Sequence, residues 1–286
     1  MKLIKQICKG AVMGVANVIP GVSGGTMAVV MGIYDKLIHS VTHIRKEFKE
    51  SMKFLLPILL GLVIGIVGLS YLITYFFENF PVQTNFLFIG LIMGGLPMIL
   101  GKLKETKKKV NGGNIVVGLL FFTLVVLLAF IHPEETVGVE FVFSFLNLCK
   151  LFGVGVVASA TMVIPGVSGS MVMILMGYYY TIIAAIKDFI EALRIVDVNG
   201  MISGMKFLIP LALGILIGVV LIAKIIEALF IKAPNYAYCA ILGLIFASPV
   251  AIIVMSDISR YSIGTAFTGI LAAILGCFIA LKLGKE

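Results

Sequence analysis

The chain has 286 residues, 60% hydrophobic and 13% charged, with a mean hydropathy of +1.16. A soluble domain of this length cannot hide that much apolar surface in one core, which excludes soluble enzymes and binding modules and leaves a membrane protein. The net charge of +8 does not indicate nucleic acid, because the basic residues sit in short loops beside apolar runs, as the positive-inside rule produces.

The first ten residues resemble the basic start of a signal peptide. No small-residue cleavage site follows and Pro20 interrupts the apolar run, so the segment reads as mature protein. Residues 5–40 form a Gly-rich apolar segment broken by Ile19-Pro20-Gly21-Val22-Ser23-Gly24. Three spans are predicted next, near 54–77, 85–100 and 114–131, the second short and Gly-rich. A connection follows, His132–Asn147, with glutamates but no lysine or arginine. A second broken segment, 148–186, carries Ile164-Pro165-Gly166-Val167-Ser168-Gly169, and spans near 207–230, 236–255 and 262–281 complete the chain. Cys8, Cys149, Cys239 and Cys277 are scattered without a CxxC pair and read as small buried hydrophobes.

The two halves are one repeat written twice. Val18–Gly24 recurs letter for letter as Val163–Gly169, and at the same offset Gly10 matches Gly155, Met31-Gly32 matches Met176-Gly177, and Tyr34 matches Tyr179. Lys53-Phe54-Leu55-Leu56-Pro57 matches Lys206-Phe207-Leu208-Ile209-Pro210. Gly61 and Gly65 match Gly214 and Gly218, and Gly90-Leu91-Ile92 matches Gly243-Leu244-Ile245. A collinear series of this kind marks duplication. The expectation is a single all-α polytopic membrane domain over 1–286, with repeat one at 5–131 and repeat two at 148–283. Each repeat is a broken, re-entrant helical hairpin plus three transmembrane helices.

Lysine and arginine set the orientation. If each broken segment returns to the face it entered, 17 basic residues lie inside and five outside (Lys150, Lys187, Arg194, Lys206 and Arg260). The halves are then inverted, both termini are cytoplasmic, and the protein belongs in the cytoplasmic (inner) membrane. Broken segments that each made two full spans would also give inversion, with arms of about 15 residues, short for a bilayer.

An irregular turn at membrane depth survives only where it is buried in protein or lines a cavity. Pro20 removes a donor, glycines permit unusual dihedrals, and Ser23 and Ser168 are natural N-caps. Half-helix starts of this kind offer backbone N–H groups to anions, phosphate above all, and inverted-repeat transporters place substrates at paired broken helices. The candidate phosphate-binding residues are Ser23, Gly24, Gly25 and Thr26, with Ser168, Gly169 and Ser170. Asn17, Asp35, Lys224, Arg45 and Arg194 are second-line candidates. Lys224, alone within an apolar run, either meets an anionic head group, pairs with Glu227, or snorkels to the surface. His39 and His43 have the i,i+4 spacing of metal ligands but no third ligand in their loop, so no metal is expected. No catalytic residue and no cofactor is expected.

Gly10–Thr26 with Met31-Gly32-Ile33-Tyr34-Asp35, and Ile164–Ser170 with Met176-Gly177-Tyr178, resemble the bacterial polyprenyl-phosphate transporters, a family long known only as a domain of unknown function. The resemblance covers nearly the whole chain. It implies a flippase that returns undecaprenyl phosphate across the cytoplasmic membrane for cell-envelope synthesis, with that lipid as partner alongside membrane lipids. Asn17 stands where the family commonly carries an acidic residue. The rival readings are a carrier or channel for a small soluble anion and a polyprenyl-pyrophosphate phosphatase. The phosphatase needs arginines and acid–base groups at its phosphate, and neither Ser-containing motif supplies them.

Overall fold

The computed structural model describes residues 2–18, 23–68, 70–106, 109–131, 143–167, 169–256 and 262–284. Among them the protein is all-helical. The first half has α1 (Lys2–Val18), α2 (Gly24–Val30), α3 (Tyr34–Thr42), α4 (Phe48–Gly68), α5 (Ser70–Asn79), α6 (Pro81–Gly94), α7 (Leu96–Glu105) and α8 (Gly112–Phe130). The second has α9 (Phe145–Val163), α10 (Gly169–Leu175), α11 (Tyr179–Arg194), α12 (Val198–Lys232), α13 (Pro234–Val254) and α14 (Ile263–Gly284).

Among the described residues, seven helical stretches are long and apolar enough to cross a membrane: α4, the run of α6 and α7 from Pro81 to Glu105, α8, α9, α12, α13 and α14. Their outer faces keep large apolar side chains exposed, such as Leu119 and Leu127 on α8 and Ile274 and Phe278 on α14. A bilayer satisfies such faces, whereas water would not. The chain is therefore a multi-pass membrane protein. Several expected bounds need correction. The stretch expected at 85–100 spans 25 residues, because Pro81 starts it with a pre-set φ and the helix continues through Lys102 and Lys104. The stretch expected at 54–77 is divided between α4 and α5, and α9 is itself long enough to cross. Cys8 and Cys149 are exposed rather than buried.

The duplication reappears in local geometry. After α2, Gly32 has φ +68, its N–H donates to the Val29 carbonyl, and the Ile33 N–H donates to Ala28. After α10, Gly177 has φ +77 with the same pair of bonds, to Ile174 and from Tyr178 to Met173. These are Schellman-type ends that only glycine enters without strain. Likewise α6 and α13 both begin at a proline preceded by a residue of similar backbone, Phe80 (φ −136, ψ 52) and Ala233 (φ −141, ψ 59).

The chain divides into two compact units. One comprises Met1–Ile131, Ile164–Val167 and Ala223–Glu286, the other His132–Val163 and Ser168–Ile222. In the first, α1 and α4 pack in parallel through glycines. A Cβ on Gly10 would strike the backbone of Ile58, and one on Gly14 that of Leu62, while Gly61 and Gly65 face Ile7 and Ala11. In the second, α9 and α12 do the same, with Gly155 on Leu211, Gly214 on Phe152 and Gly218 on Val156. Each of these contacts lies at the matching repeat position.

Also within the first unit, helices of the two halves interlock. Gly90 and Gly94 of α6 abut Ala273 and Cys277 of α14, in parallel, and Gly118 of α8 abuts Cys239 and Gly243 of α13. By contrast α13 runs antiparallel to α6 and α7. Asn85 near the start of α6 donates to Ser256 Oγ beyond the end of α13 (2.8 Å), and Thr106 beyond α7 donates to Asn235 Oδ1 at the start of α13 (2.6 Å). The matching stretches Gly90-Leu91-Ile92 and Gly243-Leu244-Ile245 thus run in opposite directions.

Candidate functional site

Ser23 takes an extended backbone (φ −122, ψ 146) and caps α2, its Oγ accepting from the Thr26 N–H at 3.2 Å. Every residue of α2 is buried. The N–H of Gly24 donates to Asn17 Oδ1 at the end of α1, at 2.8 Å. Glycine at 24 admits this approach, since a Cβ would come within 2.8 Å of the Asn17 amide. Two of the donors expected to meet an anion are thus held by side chains of the same motif. The place corresponding to Asn17 in the second half is Met162, a thioether without a carbonyl acceptor.

The second motif reaches the first. Gly166, with φ +80, donates its N–H to Thr26 Oγ1 at 2.7 Å and to Ser23 Oγ at 3.2 Å. Ser23 and Thr26 are 3% and 0% exposed, so these bonds replace water fully. Ile164 and Val167 on either side pack against Leu244, Ala247 and Ala251 of α13 together with Val125 and Ala129 of α8. Leu244 lies directly under Gly166, where a Cβ would come within 3.0 Å of it. On the adjoining surface of α13 and α8, an open groove of about 470 Å³ is lined by Gly118, Leu119, Phe122, Cys239, Gly243 and Phe246.

The other candidates are distributed as follows. Gly25 is buried in the first turn of α2. Gly169 starts α10 and is buried, and a Cβ there would meet Met162 Cγ at 3.1 Å and Thr161 Oγ1 at 3.2 Å. Ser168 lies outside the described residues, and Ser170 is placed only as the second residue of α10. Asp35, in the first turn of α3, forms an ion pair with Lys102 of α7. Arg45 is exposed in the loop after α3. Arg194 ends α11 in a surface pair with Glu191 at 3.5 Å. Lys224 is exposed on α12, and Glu227, one of its candidate partners, turns instead to His39 and His43.

One residue passed over in sequence is Lys9. It was counted among the cytoplasmic flanking charges, yet it is 7% exposed and its Nζ donates to the carbonyl of Met31, the residue that ends α2, at 3.1 Å. An ammonium suits a helix C-terminus. Lys9 stands one and two helical turns before Met13 and Ala16, which are also buried, and so shares their inward face.

Taken together these features define a multi-pass membrane protein in which the Pro165-Gly166 turn of the second half meets the start of α2 in the first through buried hydroxyl and amide groups. A family model described as undecaprenyl phosphate translocase-like matches residues 13–205 and 196–283, and the chain belongs to that family. Among curated relatives, the polyprenyl-phosphate transporter of Staphylococcus aureus is 28% identical over 286 residues, covering 98% of this chain and 95% of its own. The polyprenyl-phosphate transporter of Vibrio cholerae is 28% identical over 219 residues, covering 72% of this chain and 67% of its own. No solved structure gives a significant match.

Proposed function

We propose that this protein is a flippase, not an enzyme, that carries undecaprenyl phosphate across the cytoplasmic membrane for recycling in cell-envelope synthesis. Family membership and the two relatives support the substrate class. The observation that carries the mechanism is the meeting of Gly166 with Ser23 and Thr26. A phosphate at this place finds hydroxyl and backbone N–H donors in a low-dielectric interior, where charge-assisted hydrogen bonds are strong. The seven residues of α2 build little macrodipole, so these individual donors carry the binding.

In this reading Asn17 Oδ1 holds the Gly24 N–H in the ligand-free form, and a phosphate oxygen takes its place. Gly25 and Thr26, with the cap Ser23, complete the donor set of this turn, and Ser168, Gly169 and Ser170 are the candidates that the second half offers. The apolar groove on α8 and α13 receives part of the polyprenyl tail, since the same stretch of α13 touches Gly166. The halves are inverted repeats with both termini in the cytoplasm. The opposed directions of α6–α7 and α13 support that arrangement, as does the parallel packing of α1 with α4, which requires the chain to turn back between them.

The test is reconstitution into liposomes with labelled undecaprenyl phosphate and a leaflet-selective readout. Leaflet exchange, with stabilisation of the purified protein by a polyprenyl phosphate but not by inorganic phosphate, is the expected result. Stabilisation by inorganic phosphate alone would instead establish a soluble-anion carrier.

A further inference from the structure

The two histidines set aside in sequence acquire a third partner from a distant part of the chain. His39 lies in the last turn of α3 and His43 ends it, one helical turn on. Glu227, near the end of α12, places Oε1 3.3 Å from His39 Nδ1 and 3.3 Å from His43 Nδ1. On the other side of the first ring, His39 Nε2 lies 3.2 Å from Glu47 Oε2. The three ligand atoms of His39, His43 and Glu227 fall within 4.8 Å of one another.

A neutral imidazole has a single N–H. When His39 gives it to Glu47, its Nδ1 lone pair faces the Glu227 carboxylate, and a dication between the two Nδ1 atoms and Glu227 gives that lone pair an acceptor. The rings are stacked with centroids 4.2 Å apart, so binding turns them until both Nδ1 atoms face one ion. The 3.3 Å nitrogen–oxygen separations match the edge of a tetrahedron with metal–ligand bonds of about 2.0–2.1 Å.

We propose that His39, His43 and Glu227 bind a divalent transition-metal ion of zinc chemistry, with Glu47 as the carboxylate that orients His39. Two imidazoles and a carboxylate, with a fourth position left to water, are a zinc donor set, whereas magnesium and calcium prefer oxygen ligands throughout. Glu47 accepting the Nε2–H of His39 fixes the tautomer that presents Nδ1 to the metal. The His39 and His43 side chains are 50% and 30% exposed and that of Glu227 20%, so the ion has a path in. Binding draws His43 Nδ1 away from Thr42 Oγ1, now 2.9 Å away. It fastens the end of α3 to α12, while Asp35 pairs the start of α3 with Lys102. The site is separate from the phosphate motifs and does not rest on that reading.

The experiment is Zn²⁺ titration by calorimetry of the full chain in detergent, stripped of metal and freed of any affinity tag. One Zn²⁺ per chain is expected. His39→Gln, His43→Gln and Glu227→Gln should each lose more than the roughly 10–100-fold expected of an outer-shell change, and Glu47→Gln about that much. His132→Gln, at the one other histidine of the sequence, should bind as the parent does. Melting each variant without metal separates lost ligands from lost fold. Co²⁺ added to the unaltered protein should give the intense visible bands of a four-coordinate site. No saturable Zn²⁺ binding, no such bands, or undiminished binding in a His39→Gln/His43→Gln double variant overturns the proposal.

Discussion

Asn17 and Met162 occupy matching places in the two halves, and the difference between them decides what each turn can do. Asn17 occupies the N–H of Gly24, while the thioether of Met162 offers Gly169 no equivalent acceptor. On the proposed function, Asn17→Met leaves Gly24 open to phosphate at all times, and the expected outcome is tighter binding of a polyprenyl phosphate with reduced leaflet exchange. Thr26 is the residue on which the two motifs depend most, since its buried hydroxyl accepts from Gly166. Thr26→Val keeps the shape and leaves a buried donor short of its partner, which costs about 1–3 kcal/mol. The expected outcome is a lowered melting temperature in detergent, restored by Thr26→Ser. Gly166 is constrained differently. Its φ of +80 and the nearness of Leu244 make Gly166→Ala unfavourable by roughly 1–2 kcal/mol from backbone strain alone.

At the level of elements, glycine spacing sets helix pairing. Gly10, Gly61 and Gly65 let α1 and α4 touch backbone to backbone, and Gly155, Gly214 and Gly218 do the same for α9 and α12. Without a hydrophobic driving force between helices in lipid, such close van der Waals contact is what holds them together. Gly61→Val and Gly214→Val should therefore each reduce the yield of folded protein, seen as aggregation on size-exclusion chromatography. Gly101→Ala, on α7 with no atom near the added methyl group, should be neutral or stabilising by about 0.5–1 kcal/mol. The matched glycines were legible in the sequence as repeat landmarks, and the turns after α2 and α10 were legible as Met-Gly pairs. Which helices those glycines join was not. Periodicity reports that a face is apolar, but α6 with α14 and α8 with α13 are tertiary choices between equally apolar partners. Lys9 and Glu227 were misjudged for the same reason. Each is a charge whose partner, Met31 or the pair of histidines, lies far away in sequence.

For the whole molecule, the proposed carrier has its two copies of the repeat facing opposite sides of the membrane. On that proposal the two turns are mirrored in access, one serving the outer leaflet and the other the inner. On the proposed topology the distribution of basic residues puts the connection at 132–147 outside and the loop carrying Arg45, Lys46 and Lys49 in the cytoplasm. Single cysteines placed at Glu134 and at Lys46, in a background lacking the four native cysteines, test this with a membrane-impermeant maleimide on intact cells. Labelling at 134 and protection at 46 until the cells are opened is the expected pattern. The reverse pattern would invert the orientation while leaving the repeat intact. Labelling of both positions from outside would place the two loops on one face, and the alternating use of the two turns would then have no structural basis.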